Sequence, residues 1–134
     1  MTDPTSPKPK YKVLLVEDEQ NLRDLYAALL IGEGYDVSQA DNGTSALALM
    51  KEGGFDLVLL DIMLPGIDGL GVLKELQEKP PVHSNKAIVL LTNLNQDQVV
   101  AKALEYNVRG YIVKSSYTPD KFLEEVKNIL TSEE

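Results

Sequence analysis

The chain has 134 residues, 43% of them hydrophobic, which suits one domain with one sizeable core and excludes two. Against 13 Lys and Arg stand 21 Asp and Glu, a formal charge of −8 that nucleic-acid phosphates repel, so direct nucleic-acid binding is not expected. Without cysteine there is no disulfide frame, thiolate metal site or cysteine nucleophile.

Residues 1–10 hold three prolines and no apolar stretch, which fits neither a secretory signal nor a membrane anchor. They read as a flexible tail on a cytoplasmic protein, with the domain over 11–131 and a short tail over 132–134. Val13 to Val16 is a short unbroken apolar run, the pattern of a strand covered on both faces of a parallel sheet. Leu22, Leu25, Tyr26, Leu29 and Leu30 then form a helical stripe, which Gly32 and Gly34 stop. Tyr35 to Gln39 is a more polar strand suited to a sheet edge. A weaker stripe over Ala46 to Met50 leads to the apolar strand Leu57 to Leu60, and another over Leu70 to Leu76 follows. Lys79 to Lys86, with Pro80 and Pro81, is a loop before the apolar strand Ile88 to Leu91. A stripe over Val99 to Leu104 precedes the last apolar run, Tyr111 to Val113. The final helix has Thr118 as cap, Pro119 in its first turn and a stripe of Phe122, Leu123, Val126, Ile129 and Leu130. Five strands alternating with five helices imply a doubly wound α/β sandwich, with no output domain expected after it.

In open α/β sheets the ligand site lies beyond the carboxyl ends of the strands. There the sequence places Glu17 and Asp18, Asp61, Thr92 and Lys114, each directly after or at the end of an apolar strand. Taken singly, each has an ordinary role: a solvated turn for the acids, a helix cap for Thr92, a salt-bridge partner for Lys114. Taken together, three carboxylates at adjacent strand ends repel by about 4 kcal/mol per pair at ~4 Å and an effective dielectric near ~20. Such a cluster wants a cation. Oxygen ligands, no cysteine and a single distant His83 favour magnesium over zinc or copper. A phosphoryl group on Asp61 gives every member work: metal and Lys114 neutralise its oxygens, and the Thr92 hydroxyl donates to another.

These residues carry a resemblance. VLLVEDE (Val13 to Glu19), DIMLPGIDG (Asp61 to Gly69), Thr92 and YIVK (Tyr111 to Lys114) are similar to the receiver domain of two-component response regulators over residues 12–131. The resemblance implies a flavodoxin-like sheet of five parallel strands in the order 2-1-3-4-5 with five helices. It implies phosphorylation of Asp61 by a histidine kinase or phosphotransfer protein, and a signal passed to a downstream protein target rather than enzymatic turnover. Asp18, Asp61 and the main-chain carbonyl of Met63 would ligate Mg2+, with Glu17 acting directly or through water. Lys114 would hold the phosphoryl group and Thr92 would shift toward it. Tyr111 would be the rotamer switch, and the output face would be the fourth helix, fifth strand and fifth helix. Three positions depart from the family pattern: Glu17 replaces an aspartate, Ser115 a proline after Lys114, and Asn93 a small residue after Thr92.

Three other classes compete. A magnesium-dependent phosphatase of haloacid-dehalogenase type needs an acid two positions after its aspartate nucleophile, and Met63 stands there. Gly66, Gly69 and Gly71 follow neither the Walker nor the Rossmann order, which disfavours a nucleotide or flavin binder. A receiver-like module that binds partners without phosphate would not need all five polar residues.

Overall fold

The computed structural model describes residues 10–132. The tails expected over 1–10 and 132–134 lie, except for Lys10 and Ser132, outside the described residues.

Five parallel strands form one sheet in the order β2-β1-β3-β4-β5: β1 Lys12–Val16, β2 Asp36–Ala40, β3 Leu57–Asp61, β4 Ile88–Thr92 and β5 Gly110–Val113. The connecting helices are α1 Gln20–Gly32, α2 Gly43–Glu52, α3 Gly69–Glu78, α4 Asp97–Ala103 and α5 Pro119–Thr131. Because successive side chains of a strand face opposite ways, the apolar runs supply two cores at once. Leu14, Val16, Val58, Leu60 and Leu90 pack with residues of α2, α3 and α4. Val13, Leu15, Leu57, Leu59, Val89, Leu91 and Ile112 pack with residues of α1 and α5. Each such leucine or valine stabilises the fold by roughly 1.5–3 kcal/mol through burial.

Local signals set the helix ends. Glu19, Asn42, Asp68 and Thr118 are N-caps whose side chains accept backbone N–H bonds from the first turns of α1, α2, α3 and α5. After α1 the chain turns through Gly34 at φ 89, a conformation that favours glycine. The loop between α3 and β4 is not loose: the Val82 and His83 N–H groups and the Asn85 side chain donate to the carbonyls of Lys51, Glu52 and Met50. These are the carbonyls the last turn of α2 leaves without helical partners.

Two expectations change. The Tyr111 to Val113 run is not covered on both faces: β5 is the second edge of the sheet, with Ile112 buried and Tyr111 half exposed. Nor does Thr92 cap α4, because that helix begins after Gln96, which makes no side-chain cap bond.

Candidate metal and phosphoryl site

Register puts the polar residues on one rim. Val16 pairs with Leu60, Asp61 with Leu91, and Thr92 with Val113. Glu17 follows β1, Asp61 ends β3, Thr92 ends β4 and Lys114 follows β5. Alternation then sorts them by face. Glu17, Asp61 and Lys114 share the parity of Leu15, Leu59 and Ile112, the α1 and α5 side. Thr92 and Tyr111 share the parity of Leu90, the α4 side.

On the first face the Lys114 Nζ lies 2.5 Å from Glu17 Oε1 and 2.7 Å from Asp61 Oδ2, with all three side chains almost wholly buried. Oxygens of Glu17, Asp18 and Asp61 lie within 4.8 Å of one another. The Met63 N–H donates to Asp61 Oδ1 at 3.0 Å, and the half-exposed Met63 side chain offers no acid at that position. On the second face Thr92 and Tyr111 line a cleft of about 250 Å³ with Asn93, Val100 and Leu104. Thr92 is buried, and Asn93 is tethered by its N–H bond to Gln96 Oε1. The Lys114–Ser115 peptide is not cis, and Lys114–Ser116 forms a 3-10 turn.

The electrostatics of this corner are tense. Burial pushes the Glu17 carboxyl above its ordinary 4.5, and Asp61 adds to the rise, while Lys114 and the Glu19 N–H pull the other way. Burial by itself would lower the Lys114 ammonium; its bond to Asp61 and its ion pair with Glu17 win and hold it above 10.5. Glu17 Oε1 meets Lys114 only as an ion pair, without hydrogen-bond alignment, and is buried with no hydrogen-bond partner. Among the described residues the Asp18 carboxylate makes no hydrogen bond or ion pair. Three carboxylates against one ammonium leave a formal excess of two negative charges. An unpartnered Asp18 carboxylate beside two buried acids that share one ammonium is a fit for a small divalent ion with hard oxygen ligands.

Three residues support the corner without belonging to the polar set at the strand ends. Asp68 caps α3, and Gly69 lets that helix start against the end of β3, where a Cβ would lie 2.8 Å from Ile62 Cα. Arg23, in α1, reaches back to the loop after β1: its Nη1 donates to the Glu17 carbonyl at 3.0 Å and lies 3.5 Å from that of Asp18. The Asp-x-x-Gly spacing at Asp68 could have flagged the first, whereas nothing local marks Arg23.

Residues 13–127 match the response regulator receiver domain family. The chain belongs to that family. The receiver is 34% identical over 119 residues to the transcriptional regulatory protein ResD of Bacillus subtilis, an alignment covering 89% of this chain and 48% of ResD. It is 34% identical over 118 residues to the sensory transduction protein RegX3 of Mycolicibacterium smegmatis, covering 88% and 50%. The chain thus spans about half the length of these relatives. Among solved structures, a CheY-like receiver domain protein from Methanospirillum hungatei superposes with a TM-score of 0.80 at 26% identity, covering 92% of this chain and 96% of that one. The NtrX receiver domain of Brucella abortus gives 0.74 at 29%, covering 88% and 97%. The expected fold and strand order are both observed, and the family is a signalling domain of two-component systems rather than an ordinary enzyme. The phosphatase alternative finds no support. No helix among the described residues is long and apolar enough to cross a membrane.

Proposed function

We propose that this receiver accepts a phosphoryl group on Asp61 from the phosphohistidine of a histidine kinase or phosphotransfer protein, and passes the change to a protein partner in the cytoplasm. The observation that carries the reading is the Lys114 ammonium held 2.7 Å from Asp61 Oδ2 in a corner that also gathers Glu17 and Asp18. A carboxylate oxygen of Asp61 forms the new P–O bond as the donor's P–N bond breaks, and the departing imidazole takes up a proton from solvent. Glu17, Asp18, Asp61 and the Met63 carbonyl would hold Mg2+, which when bound supplies charge for the phosphoryl oxygens. Lys114, already facing Asp61, exchanges its carboxylate contact for a phosphoryl oxygen. The Thr92 hydroxyl, at the end of the neighbouring strand, would move toward Asp61 and donate to another phosphoryl oxygen.

The chain then switches on its other face. Drawing Thr92 toward Asp61 vacates part of the cleft it shares with Tyr111, and the half-exposed ring moves inward. That move alters α4, β5 and α5, so phosphorylation biases a two-state equilibrium read by the partner. With Met63 where a phosphatase would carry its acid, release of the phosphoryl group is slow loss to water. The surplus of acidic residues supports signalling through protein rather than nucleic acid.

The test is incubation with a small acyl phosphate and Mg2+, followed by intact-mass measurement. One phosphoryl adduct that needs both Mg2+ and Asp61 is expected, and an equally labelled Asp61→Asn protein would put the acceptor elsewhere.

A further inference from the structure

We propose that Arg23 is a positioning residue for the acidic pair, fixing Asp18 where a divalent cation can bridge it to Asp61. The inference rests on the metal and phosphoryl reading above and adds a residue to it.

The geometry is a clamp on two successive peptides. The Arg23 Nη1 donates to the Glu17 carbonyl at 3.0 Å, and the Asp18 carbonyl lies at 3.5 Å, a longer and weaker contact. Those carbonyls belong to the two peptide planes on either side of the Asp18 Cα. Each plane is rigid: Arg23 holds the first, and the Glu19 N–H bond to Glu17 Oε2 at 3.0 Å holds the second, so together they restrict the backbone torsions of Asp18 and the direction of its Cβ. Glu17 has further anchors: its N–H donates to the Ala40 carbonyl, its Oε2 accepts from the Glu19 N–H, and its Oε1 pairs with Lys114. The Asp18 carboxylate is exposed and has none among the described residues, so its place within 4.8 Å of Asp61 and Glu17 depends on backbone alone.

The location of Arg23 supports a purpose beyond helix stability. A cation in the first turns of a helix faces the positive end of the macrodipole, which costs about 0.3–1 kcal/mol. Helical side chains lean toward the N-terminus, so the fourth residue of α1 is the one whose long arm reaches back to this loop.

The experiment is an amide NMR titration with MgCl2 on the native protein, Arg23→Ala and Arg23→Lys, repeated with each change on an Asp18→Asn background. The expected result is a Mg2+ midpoint raised about tenfold in Arg23→Ala, the usual scale for a group that orients a metal ligand. Arg23→Lys, able to keep one carbonyl bond, should fall between. Labelling by a small acyl phosphate should be lost at low Mg2+ and recovered as Mg2+ rises, a change in apparent affinity rather than in limiting rate. On the Asp18→Asn background, removal of Arg23 should cost nothing more. An unchanged midpoint in folded Arg23→Ala and Arg23→Lys overturns the clamp, as does an equal loss on both backgrounds. Should Arg23→Ala not fold, the Lys variant carries the same comparison. A native protein with no saturable Mg2+ response would instead sink the metal reading itself, so the two failures are separable.

Discussion

Replacing Lys114 with Met should leave Glu17 and Asp61 facing each other with no cation between them. At the observed 2.5 and 2.7 Å each carboxylate is attracted to the ammonium by about 6 kcal/mol at an effective dielectric near ~20. The net loss is smaller, because the variant can take up a proton. Starting from the ordinary value of 4.5, protonating Glu17 at pH 7 costs about 3.4 kcal/mol, a ceiling on the charge penalty. A destabilisation of about 3 kcal/mol is therefore expected in EDTA, at the low end for breaking a buried ion pair. The same argument shrinks the penalty to about 1 kcal/mol at pH 5, because that pH lies only about half a unit above the ordinary 4.5 and protonating Glu17 there costs little. Urea unfolding of both proteins at the two pH values measures it. A loss under about 1 kcal/mol at pH 7, or one that does not change between the two, would refute a desolvated triad. Millimolar Mg2+ should restore part of the lost stability, since it replaces the missing charge.

Other outcomes follow from the same corner. Because burial raises the Glu17 carboxyl, the ionised group opposes folding: the contribution of Glu17 to stability is fully present below 4.5 and is lost as pH climbs through the folded-state value. Glu17→Gln should therefore raise the melting temperature of the metal-free protein at pH 7 and leave it nearly unchanged at pH 4, a comparison that scanning calorimetry makes directly. Mg2+ at about ten times its dissociation constant should stabilise the native chain by about 1.4 kcal/mol, and Asp18→Asn should shrink the shift at the same Mg2+ concentration in a thermal titration. Gly69→Ala would set a Cβ 2.8 Å from Ile62 Cα and 3.0 Å from the Asp61 carbonyl, pushing α3 off the end of β3. A loss of about 1–3 kcal/mol in denaturant unfolding is expected, together with weaker Mg2+ binding.

What was legible in the sequence was what neighbours in the chain decide. Four-residue apolar runs bounded by polar residues give strands, and offsets of three and four give helices. Thr118 followed by Pro119 fixes the start of α5 because cap and first turn act within three residues. The order of elements, and the list of polar residues at strand ends, needed nothing more. Tertiary structure decided the rest, since β1, β3, β4 and β5 are paired across long stretches of chain and their register is set by packing and ladder bonds together. That register puts Lys114 against Glu17 and Asp61 and turns Thr92 with Tyr111 to the other face. It also leaves β5 at an edge, although Tyr111 to Val113 is as apolar as an interior strand. The long arm of Arg23 found its carbonyls for the same reason: a contact between side chain and backbone depends on how a loop is held in space, and hydrophobic pattern carries no record of that.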